Sequence, residues 1–258
     1  MLYPIKDQFT NNLNIYEFLI KYNYYVYKIL CDKDNNIIVH IDNNNYIMIE
    51  TDNYKYKINL SDIMNNNIYY GKGMCNWYDL WIAKVDYYEY QIEQVKRKYP
   101  LLYNTFAYYS GLTENAIELI LNVNYEIDYY ISHKRIGKNE LNIDFYNPIN
   151  LILDSKVRDV CEYFKSCFFY EENPIISIKN YIDYNLINDT DAILFLSRMI
   201  YPSYYFDLYD EILKGEQKEN KISDITKKVD DYEQLLIEVY NYIIIRFNVP
   251  EIEWIKKI

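Results

Sequence analysis

Residue types able to do chemistry are scarce in this chain. Its 258 residues include two histidines, His40 and His133, and four cysteines, Cys31, Cys75, Cys161 and Cys167. A structural zinc site draws on closely spaced Cys and His ligands, and no such spacing is present. Cys161 and Cys167 stand six positions apart on an expected helix and so face opposite ways. The four thiols are too few and too scattered for a disulfide framework and read as buried, apolar-like side chains. A glycine-rich phosphate loop is equally unsupported. No glycine precedes Gly71, and backbone N–H groups approach a phosphate most closely where no Cβ intervenes. Gly71-Lys72-Gly73 stands alone and reads as a turn.

Arginine is more informative. Arg97, Arg135, Arg158, Arg198 and Arg246 persist in a chain where lysine is far commoner, and where abundant Tyr, Asn and Lys suggest A·T-rich codons. Lysine cannot copy the planar guanidinium fork, so each retained arginine is expected to hold a geometric role. The overall charge is acidic, with 27 Lys and Arg against 38 Asp and Glu for a net of −11. That balance argues against general affinity for nucleic acid or an anionic membrane, where a basic face supplies most of the attraction. No apolar run approaches the roughly 20 residues that a membrane span needs. The first residues lack a basic stretch followed by an apolar core, so no secretion signal is expected and synthesis is expected in the cytoplasm.

The elements that must position these residues follow from periodicity. Leu13, Ile15, Phe18 and Leu19 are spaced for a helix over 12–22. Segments 24–30, 37–41, 46–50 and 54–59 are short, rich in Tyr, Ile and Val, and separated by Asp/Asn turns, which predicts an antiparallel meander of about four strands. After Gly73 the rhythm becomes helical. Trp77, Trp81, Val85, Tyr88 and Ile92 form one stripe on a helix reaching Arg97, and further helices are expected at 102–123, 156–170, 175–187, 190–214 and 230–248. Tyr125–Ser132 and Leu151–Leu153 read as extended, and Gly215–Lys228 as a surface loop. The expectation is therefore an α+β chain with a small antiparallel β lobe over residues 1–76 and a larger helical lobe over 77–258. That order is similar to kinase-like folds.

Three stretches carry a more specific resemblance. The first is Trp77-Tyr78-Asp79-Leu80-Trp81, with Lys84-Val85-Asp86 and then Tyr108–Ile117. The second is Ser132-His133-Lys134-Arg135, with Leu153-Asp154 and Arg158-Asp159-Val160-Cys161-Glu162-Tyr163. The third is Ser197–Phe206, reading Ser-Arg-Met-Ile-Tyr-Pro-Ser-Tyr-Tyr-Phe. In this order and spacing they resemble the YutH-like spore coat proteins, relatives of the CotS group within the aminoglycoside-phosphotransferase-like branch of the kinase fold.

The resemblance implies a two-lobed kinase-like fold and a role in the bacterial endospore coat, with other coat proteins as partners. It also says where catalysis would sit. An active member needs a carboxylate just after a catalytic-loop histidine, a metal-binding aspartate, and a strand lysine for the phosphates. Here the loop reads His133-Lys134-Arg135, with a cation where the acid belongs, and an arginine is not deprotonated in a protein. Asp154 would be the metal ligand. Tyr46-Ile47-Met48-Ile49-Glu50 ends in an acid rather than a lysine, and Lys55 and Lys57 read as solvent-facing. His133 then reads as a histidine bracing the loop. Arg135 either pairs with Asp154 in place of a metal or stands exposed to solvent, and Asp159 favours a helix N-terminus. The expectation is a pseudokinase without cofactor. The alternatives are a phosphotransferase using ATP and Mg²⁺ on a hydroxylated molecule or a coat protein, with Asp144 as its base, and an unrelated Tyr-rich interaction domain.

Overall fold

The computed structural model describes residues 1–4, 9–42, 44–121, 123, 126–170 and 172–256, the Lys256 side chain excepted. Strand β1 (Leu2–Pro4) precedes helix α1 (Phe9–Lys21), strands β2 (Lys28–Leu30), β3 (Ile38–Ile41) and β4 (Asn44–Glu50), helix α2 (Leu60–Asn65) and strand β5 (Tyr69–Met74). The long helices α3 (Trp77–Val95) and α4 (Pro100–Ile120) follow, then β6 (Glu126–His133), the short α5 (Asn142–Phe145) and β7 (Leu151–Asp154). Helices α6 (Arg158–Phe169), α7 (Ile175–Asn185), α8 (Asp189–Ile200), α9 (Ser203–Lys214), α10 (Ile222–Thr226), α11 (Val229–Ile243) and α12 (Glu253–Lys256) complete the chain. This is an α+β architecture. It divides into two compact units, Met1–Lys72 with Asp128–Val160, and Gly73–Ile127 with Cys161–Ile258. The compact units therefore depart from an N-terminal lobe over 1–76 and a C-terminal lobe over 77–258, because residues 128–160 group with the N-terminal strands.

In the first unit β4 organises the sheet. Ile47 and Ile49 point inward and are fully buried, while the alternate residues Tyr46 and Met48 face the other way, the period-two alternation of a half-buried strand. β1 pairs antiparallel along one edge of β4, and β2 and β3 share the other. Both edges of β4 being taken, the expected fourth strand at 54–59 does not pair with it. It makes only a bridge from Lys57 to Leu141, with Ile58 N–H donating to the Glu140 carbonyl at 2.8 Å. Helix α1 lays Ile15 and Leu19, one turn apart, against Ile68, Ile131 and Leu151. A separate cluster joins Tyr27, Ile47, Ile49 and Ile143. Gly71 and Gly73, expected as a turn, lie inside β5. β5, β6 and β7 form a second sheet in that order, with β6 and β7 antiparallel.

The second unit is helical. The expected stripe of α3 is its buried face: Trp77, Trp81, Val85, Tyr88 and Ile92. Pro100 starts α4 at its first turn, where its missing N–H is no loss. The Glu219 carboxylate accepts the free N–H groups of Leu101 and Leu102 at 2.7 and 3.1 Å. α4 packs on α3 and α8, and α11 on α7 and α8. The single helix expected over 190–214 is two, α8 and α9, because Pro202 cannot donate to a continuing ladder. Gly215 closes α9 in the left-handed conformation at φ 78°. The expected surface loop after it contains α10, whose Ile222 is buried. Three cysteines are buried as expected; Cys31 is exposed, on the loop that follows β2.

Candidate functional site

β6 ends on His133, and β7 pairs with it so that Leu151 faces His133 while Asp154 faces Tyr130. The expected histidine and aspartate therefore occupy opposite ends of a four-residue ladder. His133 is buried and held at three points. Its backbone N–H donates to Asp159 Oδ1 at 3.0 Å, its Nδ1 lies 2.6 Å from Asp159 Oδ2, and its Nε2 lies 2.9 Å from the Phe145 carbonyl oxygen. Each ring nitrogen therefore has a partner inside the protein. The ring also stacks on Phe145 with centroids 4.2 Å apart. His133 has no ring nitrogen left to move a proton to or from a ligand.

Asp154 is also engaged. Its Oδ1 accepts the Ser155 N–H at 2.7 Å and its Oδ2 takes Arg158 Nη1 at 2.8 Å, with both side chains largely buried. Arg158 bonds the His133 carbonyl through Nε at 3.1 Å. The first residue of α6, four positions after Asp154, thus supplies a counter-charge to it. Arg135 is exposed, and its Nη1 donates to the Lys134 carbonyl at 2.8 Å. A divalent ion at Asp154 would share the carboxylate with the Ser155 N–H and the Arg158 guanidinium. Among the described residues no cluster of three or more His, Cys, Asp or Glu is arranged to hold a metal.

Asp144, the alternative base, is half-buried and lines a cleft of about 340 Å³ in the first unit with Tyr3, Phe9, Asn12, Lys134 and Asn147. Lys134 Nζ donates to the Ile149 carbonyl at 2.6 Å. Asn12, buried on α1, donates from Nδ2 to the Leu151 carbonyl at 2.6 Å. Neither Asn12 nor Asp159 was singled out for these roles from sequence. The signal for Asn12 was an amide on the apolar face of α1, one turn before Tyr16 and three residues before Ile15.

A second polar cluster lies wholly inside the helical unit. Lys165 Nζ, almost fully buried, donates to Glu162 Oε1 at 2.8 Å, to the Arg198 and Tyr201 carbonyls at 3.0 Å each, and to Ser203 Oγ at 2.8 Å. Arg198 Nε reaches the same Glu162 Oε1 at 2.7 Å, and the Ser203 hydroxyl donates to Glu162 Oε2 at 2.6 Å. Burial pushes the Glu162 carboxyl up, but the Lys165 and Arg198 charges outweigh it and hold the group well below the usual carboxylate range. Burial is the larger effect on Lys165, whose ammonium is held below the usual lysine range. The Arg198 guanidinium also lies over the rings of Trp77, Trp81 and Tyr201, its carbon 5.3, 5.9 and 5.6 Å from their centres. The three sequence stretches singled out above converge here: Trp77 and Trp81 from the first, Glu162 from the second, Arg198 and Ser203 from the third. Lys165 was missed; its signal was a lone cation four residues after Cys161 on an apolar helix face.

The chain matches the family model described as "Spore coat putative kinase YutH" over residues 5–239. It is 22% identical over 210 residues to the endospore coat-associated protein YutH of Bacillus subtilis (strain 168), an alignment covering 70% of this chain and 61% of that protein. The chain spans about three fifths of the length of that curated relative. No solved structure matches it.

Proposed function

The chain belongs to the YutH spore coat family, and from that premise we propose that it works in the bacterial endospore coat as a non-catalytic protein of kinase-like, two-lobed fold. The observation that carries the reading is internal pairing. His133 is committed to Asp159 and Phe145, and Asp154 to Arg158 and the Ser155 N–H. The groups that a phosphotransferase would direct at a metal and an acceptor hydroxyl are here directed at the protein's own backbone and side chains. On this reading the histidine loop persists as a brace, ATP and Mg²⁺ are not required, and the partners are other coat proteins.

Thermal unfolding of the chain with and without Mg²⁺ and saturating ATP tests the loss of catalysis. No change in midpoint is expected. A ligand bound only by the folded state at a hundredfold excess over its Kd adds about 2.7 kcal/mol. A Mg²⁺-dependent rise of that order would overturn the reading and return the phosphotransferase, with Asp144 in its cleft as the available carboxylate. The coat assignment is tested separately by fractionating spores of the native host: the protein is expected in the coat extract, and its absence from purified spores refutes the location.

A further inference from the structure

Aromatic rings of the helical unit form a connected series from its interior to its surface. Trp77 stacks on Trp81 with centroids 5.2 Å apart, and Trp81 on Tyr201 at 4.2 Å. Tyr201 meets Phe206 at 5.9 Å, Phe206 stacks on Tyr88 at 4.9 Å, and Tyr88 meets Tyr87 at 5.6 Å. All are buried except the last, for Tyr87 is 56% exposed. Electron tunnelling weakens exponentially with distance, so rings in contact exchange an electron far more readily than isolated ones.

The two ends of the series differ electrostatically. At the inner end the Arg198 guanidinium lies over Trp77, Trp81 and Tyr201. A cation on a ring face is attracted by the electrons of the neutral ring and opposes the positive charge left when one of them departs. At the outer end the Tyr88 hydroxyl donates to Asp210 Oδ2 at 3.0 Å. Oxidation of a phenol requires that its proton go somewhere, and a carboxylate at hydrogen-bond distance can take it. Neighbouring phenols lack that partner. The Tyr205 hydroxyl donates to the Leu102 carbonyl at 3.2 Å, and the Tyr209 hydroxyl is buried with no hydrogen bond. The series therefore has a direction, away from Arg198 and toward Asp210.

We propose that the outer end of this series, from Tyr88 to Tyr87, carries one-electron oxidation to the surface and makes Tyr87 the chain's preferred site of oxidative coupling to another phenol. The oxidant is an outer-sphere one-electron acceptor, of the class of photogenerated tris(bipyridyl)ruthenium(III), which is reduced by one electron. Tyr88 supplies that electron while its phenolic proton passes to Asp210, leaving a phenoxyl radical beside a carboxylic acid. Tyr87 then gives an electron to the Tyr88 radical and its own proton to water, and Asp210 returns its proton to the Tyr88 oxygen. The Tyr87 phenoxyl joins a second phenoxyl radical, formed from another phenol by the same oxidant, through a bond between ortho carbons. Each ring regains aromaticity as its ortho hydrogen moves to the phenolic oxygen.

The test is photo-oxidation of the full chain with tris(bipyridyl)ruthenium(II) and persulfate in the presence of excess N-acetyltyramine, with the coupled tyrosines mapped by mass spectrometry. Tyr184 is the internal comparison, since it is 84% exposed and has no ring partner among the described contacts. The expected result is more coupling at Tyr87 than at Tyr184, against the order of exposure. In Tyr88→Phe and in Asp210→Asn, Tyr87 coupling is expected to fall severalfold and drop below Tyr184, whose own yield stays the same. Coupling that ranks by exposure in the unaltered chain overturns the proposal without any variant, and so does a Tyr87 yield that both variants leave unchanged.

Discussion

Glu162 and Lys165 stand three residues apart on one helix, their Oε1 and Nζ 2.8 Å apart, with Lys165 almost wholly removed from solvent. The pair does not stand alone, because Glu162 Oε1 also accepts Arg198 Nε at 2.7 Å. One carboxylate therefore balances two cations inside the helical unit. Lys165 in turn ties down the carbonyls of Arg198 and Tyr201, which end α8 just before Pro202. The helix break that proline imposes leaves carbonyls without helical partners, and a buried lysine satisfies two of them. Three distant stretches of sequence meet in this cluster.

Glu162→Leu is expected to destabilise the chain more than Lys165→Met. Removing the carboxylate leaves two buried cations without compensation, and breaking a buried pair in this way costs about 3–5 kcal/mol. Lys165→Met leaves the Glu162–Arg198 bond in place. Urea unfolding of both variants measures the order, and a smaller loss in Glu162→Leu would show that the cluster is not organised around the carboxylate.

The same group predicts an acid dependence. Glu162 titrates below its unfolded value, so its contribution is fully present above the ordinary carboxylate range and is lost as pH falls through the depressed folded value. Stability should therefore decline progressively once pH drops below about 4.5, the ordinary value for this side chain. Glu162→Gln should be less stable at neutral pH and show a shallower decline in acid. Unfolding free energies measured from pH 7 to 3 check both, and parallel curves for the two proteins contradict the assignment.

Asp159 is expected to matter more than its place at a helix N-terminus suggests. Asp159→Ala strands the His133 N–H and ring in the interior, and each unsatisfied buried group costs about 1–3 kcal/mol. Asp159→Asn keeps one oxygen to accept a bond and should lose less. Thermal midpoints of the two variants give the comparison. Equal losses would reduce Asp159 to a helix-end charge.

Asn12→Ala should weaken the first unit by about 1–3 kcal/mol, since the Leu151 carbonyl would lose its 2.6 Å donor in a buried position. Asn11→Ala, on an exposed neighbour, should change little. Hydrogen exchange read at α1 and β7 distinguishes the two. No increase in exchange at β7 in Asn12→Ala would mean that the amide does not fasten α1 to that strand.

The elements were legible wherever burial on one face imposes a period. Trp77, Trp81, Val85, Tyr88 and Ile92 sit on the inner face of α3 because the 3.6-residue repeat leaves no other face for them. Three of the retained arginines hold the geometric roles expected of them. Arg158 spans Asp154 and the His133 carbonyl, Arg198 spans Glu162 and three rings, and Arg246 pairs with Asp183 at 3.0 Å. Arg97 and Arg135 are exposed. One departure has its cause in tertiary pairing. Residues 54–59 have strand composition but find both edges of β4 occupied, and composition does not record which edges are free.

The sequence by itself determined the α+β class, the helical rhythm after Gly73 and the family. Tertiary structure decided the partners. That Asp154 meets a guanidinium depends on Arg158 standing at the start of α6 and folding back onto β7. Whether Lys165 is solvated or buried depends on α8 ending above it. Hydrogen bonds and ion pairs act over a few ångströms between groups far apart along the chain, and local periodicity holds no information about that distance.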